Sequence, residues 1–226
     1  MFTFPVTLFG GATATRVFES NATIGSGSGG LNSYSFSSQA IGTADPTRYV
    51  VVLVSAVNTL GTDTTISSVT FNGAAASILK QSAGGGGPIV ISAMVGALIT
   101  SGTTMNVVVN VSGASGRSCS IAIYSLYNLV SMTPFDIQSG SASPGTSVSC
   151  TANVPGGGIK LGVTTSPSNE TQTWTNITKD GQQTQSLTND TQSWSSNQFA
   201  TAASTVTFTA SGTFTVGRSM VVGTWQ

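Results

Sequence analysis

Apolar and polar residues alternate along most of the chain, which is the spacing of a β-strand with one buried face. Between residues 104 and 111, Met105 and Val107 fall on one face, whereas Asn106 and Asn110 fall on the other. No window combines a helical spacing of apolar residues with capping residues at its ends. The pattern therefore predicts an all-β protein with very little helix.

Two stretches are apolar on both faces instead. The run YVVVLVSAV begins at Tyr49, and SIAIYSLY begins at Ser120. Both are predicted to be central strands that are covered on each side. Elsewhere, short strands alternate with turn residues such as Asn72-Gly73, a pair that tolerates positive φ and favours a hairpin. We expect an antiparallel β-sandwich of the jelly-roll or Ig-like kind.

The same pattern divides the chain into an N-terminal arm, residues 1–30, and a single β-sandwich domain, residues 31–226. The arm opens with an alternating strand whose apolar residues are Phe2, Phe4, Val6 and Leu8. A Gly/Ser run then predicts a flexible tether. Such a strand can dock on a neighbour by adding to its sheet edge. The alternative is a first strand of the same sandwich followed by a long loop.

Residues 165–200 differ in composition, being polar and rich in amides, with Trp174 and Trp194 among them. We expect a solvated hairpin here, with Lys179-Asp180-Gly181 as its turn. Aromatic rings beside amides are typical of sugar-binding surfaces and of protein interfaces. The two tryptophans therefore are either an interface or glycan contact, or fillers of the core.

Charge is scarce, because only 6% of the residues are Asp, Glu, Lys or Arg, against about 25% in a typical soluble domain. The seven basic residues are scattered and are balanced by seven acidic ones. This argues against nucleic acid and against an anionic membrane surface, since both require clustered cations. The longest apolar run, residues 49–54, is far shorter than the ~20 residues of a membrane-spanning helix. A neutral surface protects poorly against self-association, so we expect copies of the chain to assemble as a homo-oligomer.

Catalytic chemistry has few candidates in this composition. Histidine is absent, which removes the usual general base and most transition-metal sites. No spacing marks a pair of acids for glycoside hydrolysis or a cluster for calcium. The expectation is a protein that is not an enzyme and that has no catalytic residues, no cofactor and no metal.

The two cysteines, Cys119 and Cys150, each share a strand face with apolar neighbours. This placement favours two buried thiols that act as small apolar side chains. A single bridge between them is the alternative.

Four strand segments between residues 31 and 130 carry a resemblance to a known group: ADPTRYVVVLVSAV, TISSVTFNGAAASIL, IVISAMVGALITSGTTMNVVVNVSG and SIAIYSLYNL. In their sequence pattern these segments resemble a β-sandwich type found among virion structural proteins of tailed bacteriophages. The resemblance implies a capsid decoration or cement protein, or a head-fibre or tail-fibre component, localised to the virion after assembly in the host cytoplasm. Its partners would be other virion proteins and copies of itself. A module that binds a host-surface glycan through the Trp-bearing hairpin is the alternative function.

Overall fold

The computed structural model describes residues 13–25, 30–58, 64–85, 88–113, 116–185 and 187–226. Throughout these ranges the secondary structure is β, and they contain no helix that could span a membrane. The strands, in chain order, are β1 Thr15–Gly25, β2 Ser33–Ala40, β3 Tyr49–Asn58, β4 Ile66–Phe71, β5 Ala74–Ala75, β6 Ser77–Gly84, β7 Ile89–Leu98, β8 Thr104–Val111, β9 Gly116–Tyr127, β10 Asp136–Val154, β11 Ile159–Ser166, β12 Thr173–Thr175, β13 Lys179–Gln185, β14 Asp190–Gln198 and β15 Ala203–Trp225.

These strands form three antiparallel sheets. Sheet A has the order β1-β9-β3-β7-β6, and sheet B has the order β2-β8-β4-β5. Sheet C has the order β10-β15-β11-β14-β13, with β12 paired to β15. The predicted all-β class and the sandwich-like packing of antiparallel sheets are confirmed.

Sheet A is the middle layer. One of its faces packs on sheet B through side chains such as Val52 and Val107. Its other face packs on sheet C through side chains such as Leu53 and Leu161. Because β3 lies at the centre of sheet A, every residue of it is buried, which explains its apolar character on both faces.

A third core lies on the outer face of sheet C. The long strands β10 and β15 form a ribbon that folds back, so that Cys150 and Phe208 pack against Met220. At Gly140 a Cβ atom would lie 2.1 Å from the carbonyl oxygen of Ser149, so this fold requires glycine. The ribbon begins at Asp136, in a part of the chain rich in Ser and Gly.

The N-terminal boundary differs from its prediction. Residues 15–25, which the prediction placed in the arm and its tether, form β1 and pair with β9 at the edge of sheet A. The four arm residues Phe2, Phe4, Val6 and Leu8 lie outside the described residues. Their role as an assembly arm stays a prediction.

Two local predictions are confirmed. Asn72 and Gly73 have φ values of 50° and 83° and join β4 to β5 in a tight hairpin. Cys119 and Cys150 are both buried and unbridged. Burial raises the pKa of both thiols, that of Cys150 to about 12.

Candidate functional site

Within residues 165–200, β13 and β14 form a hairpin that carries Trp194, whereas Trp174 lies outside it on β12. The turn of the hairpin follows Gln185, whose side-chain oxygen accepts hydrogen bonds from the backbone N–H groups of Leu187 at 2.6 Å and Thr188 at 2.9 Å. The predicted turn at residues 179–181 is wrong, because these residues lie within β13. The predicted solvation of the hairpin is wrong as well, since Asp190 to Ser196 of β14 are buried.

Trp194 is a core residue that is only 3% exposed. Its ring packs between sheets A and C and stacks on Phe18 with a centroid distance of 5.8 Å. A Cβ at Gly181 would lie 2.4 Å from the Trp194 ring, so the ring also lies directly against the β13 backbone. The predicted contact of Trp194 with a partner or glycan therefore does not fit this placement, because the ring already fills the core.

Trp174 lies on β12 and is half-buried. Its indole Nε1 donates to Ser193 Oγ at 2.8 Å, and its ring lies against the backbone of Gly162. These contacts fix the ring on the surface of sheet C. A role in an interface or glycan contact stays a prediction for Trp174.

An exposed apolar surface lies at one end of the molecule, in the connection between β9 and β10. Val130 is 80% exposed and Phe135 is 56% exposed, with Met132 between them. We call these three residues the terminal apolar surface. Beside it lies a cavity of about 290 Å³ whose lining includes Phe135, Val154 and Pro155. Large apolar groups gathered at one place on a soluble protein are typical of an interaction site.

The backbone beneath the terminal apolar surface is held firmly. Val130 N–H donates to the carbonyl oxygen of Gln226 at 2.6 Å, and Phe135 N–H donates to that of Thr224 at 2.7 Å. Trp225 Nε1 donates to the carbonyl oxygen of Met132 at 3.3 Å. Because β15 holds the loop at these points, its apolar side chains are presented on a rigid support.

The described chain begins close to this surface. Gln198 Nε2 donates to the carbonyl oxygen of Ala14 at 2.7 Å, and Thr15 pairs with Tyr127, shortly before Val130. Ala14 packs in the same core cluster as Leu129. Ala14 and Thr15 therefore lie at the end of the molecule that carries the terminal apolar surface.

Lys160 lines a second cavity, of about 500 Å³, beside Phe199 and Asn197. Its ammonium group donates to the carbonyl oxygen of Asn176 and lies 3.2 Å from the centroid of the Phe199 ring. Burial lowers the pKa of Lys160 to about 8. The charged group of Lys160 thus links β11 to the segments that contain Asn176 and Phe199.

The acidic residues of the described ranges are dispersed over the sheets. Glu170 pairs with Arg218, Asp180 accepts a hydrogen bond from Tyr124, and Asp136 accepts one from the backbone of Asn153. No group of three or more cysteines and acids within the part of the chain that the structure describes could hold a metal ion. Each of these carboxylates thus stabilises a local contact.

Comparison of the chain with protein-family models and with curated proteins finds no match. The functional conclusions below therefore rest on the residues and on their geometry.

Proposed function

We propose that the chain is a non-enzymatic structural protein of a tailed-phage virion, a surface subunit such as a capsid decoration or cement protein or a head or tail fibre. Copies assemble when residues 1–12 of one subunit dock on the terminal apolar surface of the next. The location is the virion, and the subunits assemble in the host cytoplasm. The resemblance of the strand segments supports the virion assignment, and the geometry of one end of the molecule supports the mode of assembly.

The observation that carries the assembly proposal is the terminal apolar surface, which lies close to Ala14 and Thr15. Burying a Val, Met or Phe side chain completely contributes roughly 1.5 to 3 kcal/mol. The three residues are only partly exposed, so their combined contribution on docking is smaller than the full sum. Because the supporting loop is already ordered by β15, docking does not have to order it, which favours binding.

The arm has the chemistry to cover this surface. Phe2, Phe4, Val6 and Leu8 alternate, so an extended arm presents four apolar side chains on one face. Few charges lie in either partner, and residues 1–12 contain none. Association of the two therefore requires little desolvation of charge.

Sedimentation velocity of the full chain tests the assembly. The wild-type chain is expected to sediment as an oligomer, and Phe135→Ser is expected to shift it toward the monomer. Phe2→Ser with Phe4→Ser is expected to do the same, since it alters the other half of the contact. Leu187→Ser is the matched control, because Leu187 is an exposed apolar residue in the β13–β14 turn. A wild-type chain that is monomeric at every concentration would contradict the proposal.

The virion assignment has a separate test. Antibodies against the chain, applied to purified particles of a tailed phage that encodes it, are expected to label the capsid or the tail in electron micrographs. Unlabelled particles would contradict the assignment even if the chain forms oligomers.

The alternative, a glycan-binding module that uses the tryptophans of residues 165–200, now depends on Trp174 of β12 alone, because Trp194 is buried. Loss of binding to a host-envelope polysaccharide in Trp174→Ala is the result that this alternative requires.

A further inference from the structure

A polar pocket of about 410 Å³ lies between the end of sheet A and the outer loops of sheet C. Its volume is within the range of small-molecule sites in proteins. Four segments distant in sequence supply its lining residues, which include Arg117, Ser168, Asn169, Thr188, Asn189 and Phe214. The pocket is thus a product of the fold and not of a single flexible loop.

Hydrogen bonds to Gln185 stabilise the residues that form one wall. Gln185 Oε1 accepts three hydrogen bonds, from the N–H groups of Leu187 and Thr188 and from the Thr188 hydroxyl. Asn189 N–H donates to the carbonyl oxygen of Gln185 at 2.7 Å, and Asn189 has a φ of 59°, which Asn tolerates better than most residues. The exposed amide of Asn189 therefore stands on a fixed backbone.

The opposite wall carries Phe214, a residue that is 51% exposed. The backbone of Phe214 is held on both sides by a buried ion pair: its N–H donates to Glu170 Oε2 at 3.2 Å, and its carbonyl oxygen accepts from Arg218 at 2.7 Å. Arg218 and Glu170 are themselves 2.7 Å apart and fully buried. Burial opposes the ionisation of Glu170, but the hydrogen bonds and the charge of Arg218 outweigh it and lower the pKa. An exposed aromatic ring on so rigid a support is suited to stacking on a ligand.

The charges at the pocket are balanced. Arg117 Nε lies 3.6 Å from Asp190 Oδ2, and the Ser118 hydroxyl donates to the same oxygen at 2.6 Å. Because Asp190 neutralises Arg117, the pocket offers no net positive charge to an anion. Apart from Pro167 and Phe214, the remaining lining side chains are amides and hydroxyls, which both donate and accept hydrogen bonds. This combination matches the hydroxyl groups of a neutral ligand.

We propose that this pocket binds one unit of a neutral saccharide. The C–H face of the sugar ring stacks on Phe214, and its hydroxyl groups exchange hydrogen bonds with the side-chain amides of Asn169 and Asn189. An aromatic ring beside a few converging polar groups is the composition of a site that fixes an amphipathic ligand in one orientation. This activity goes beyond assembly and does not depend on it, and it uses residues other than the two tryptophans.

The test is binding of the full chain to an array of neutral oligosaccharides built from hexoses and N-acetylhexosamines, with uronic-acid and sialic-acid oligosaccharides on the same array. Binding to neutral members is expected. Calorimetry with the best of them is then expected to show about a tenfold loss of affinity in Phe214→Ala, the size of one lost aromatic contact. A similar or smaller loss is expected in Asn169→Ala.

Two variants serve as controls. Phe135→Ala removes an equally large exposed ring at the terminal apolar surface. Trp174→Ala removes the ring that the alternative glycan-binding function requires. Both are expected to bind the saccharide as the wild type does. Phe214 and Asn169 are exposed, so unchanged thermal unfolding of their variants is expected and separates loss of binding from loss of folding.

Three results would overturn the inference: no binding to any saccharide, binding to acidic saccharides alone, or binding that survives both Phe214→Ala and Asn169→Ala. None of them bears on the oligomer measured by sedimentation.

Discussion

Two strands, β3 and β14, are buried along nearly their whole lengths, yet their compositions are opposite. β3 reads YVVVLVSAVN and β14 reads DTQSWSSNQ. β3 lies in the middle of sheet A between two apolar cores. β14 lies in sheet C, where one neighbouring strand is β13 and the facing layer is sheet A. The interior of this protein is therefore built in two ways.

The difference shows how a polar strand can be buried. Gln192 Nε2 on β14 donates to the carbonyl oxygens of Leu53 and Ser120 in sheet A, at 3.2 and 3.3 Å. Nearby, Ser92 Oγ lies 2.8 Å from Thr165 Oγ1 and 2.9 Å from Ser219 Oγ. A buried polar group is tolerated when it is hydrogen-bonded. Between sheets A and B, hydrogen bonds such as those of Gln81 with Ile66 are only partly buried, whereas fully buried hydrogen bonds supplement the packing between sheets A and C.

The largest effect is expected from the ion pair of sheet C. Arg218→Met leaves the carboxylate of Glu170 buried without its counter-charge, and we expect a loss of about 4 kcal/mol in the free energy of unfolding. Urea denaturation at neutral pH measures it. The double variant Arg218→Met with Glu170→Gln is the control, because it removes the stranded charge and should recover a large part of the loss. Equal losses in the single and double variants would show that the pair's charge is unimportant.

The apolar counterpart is Leu53→Ala on β3. Leu53 is fully buried between sheets A and C, and truncating such a side chain costs about 3 kcal/mol through lost burial and the cavity that remains. Chemical denaturation of this variant and the wild type measures the change. A loss under about 1 kcal/mol would mean that the layer beside β3 collapses to fill the space.

These two strands also show how far the sequence predicts the fold. The apolar run of β3 has one physical explanation, burial on both faces, and its central position was predicted correctly. The polar residues of β14 are typical of a solvated strand, and no local feature of the sequence shows that this strand is buried. Their burial depends on partners such as Leu53 and Ser120 that are more than seventy residues away in sequence.

The same limit applies to the charged residues and to the candidate sites. The basic residues form no cluster along the sequence. Three of them, Arg48, Lys160 and Arg218, are nevertheless fully buried. Arg48 donates to five backbone carbonyl groups, among them those of Ile99 and Ser101. An isolated charge in an almost uncharged chain is the one signal that could have identified such residues. The polar pocket had no such signal, because it gathers residues from distant segments. The terminal apolar surface lies within one loop, but nothing local shows that its apolar side chains are exposed.

The buried Lys160 on β11 of sheet C is expected to make the free energy of unfolding depend on pH. Its pKa is about 8 in the folded chain, against 10.5 ordinarily. Between these values the unfolded chain binds more protons, so the free energy of unfolding rises with pH. The wild type should gain about 1.5 kcal/mol relative to Lys160→Met between about pH 8 and about pH 9.5.

Denaturation of both chains across this range measures the gain, and the difference between them removes the contribution of other titrating groups. Lys80→Met, which removes a lysine of sheet A and leaves Lys160 in place, is the control. A difference that stays constant with pH would contradict the depressed pKa of Lys160.

The smallest effect is expected from Gln192→Met, which makes β14 more like β3 at one position. The substitution keeps the length of the side chain and removes its two donated hydrogen bonds. It also removes Oε1, a buried oxygen that accepts no hydrogen bond within the described residues. The carbonyl oxygens that accept these hydrogen bonds belong to Leu53 and Ser120, which lie in paired strands. A side-chain hydrogen bond contributes only about 1 kcal/mol net to stability. We therefore expect the free energy of unfolding to change by less than about 1 kcal/mol, measured in urea beside Leu53→Ala. If Gln192→Met instead loses as much as Leu53→Ala, the hydrogen bonds of β14 are as important to the contact between sheets A and C as the apolar packing of β3.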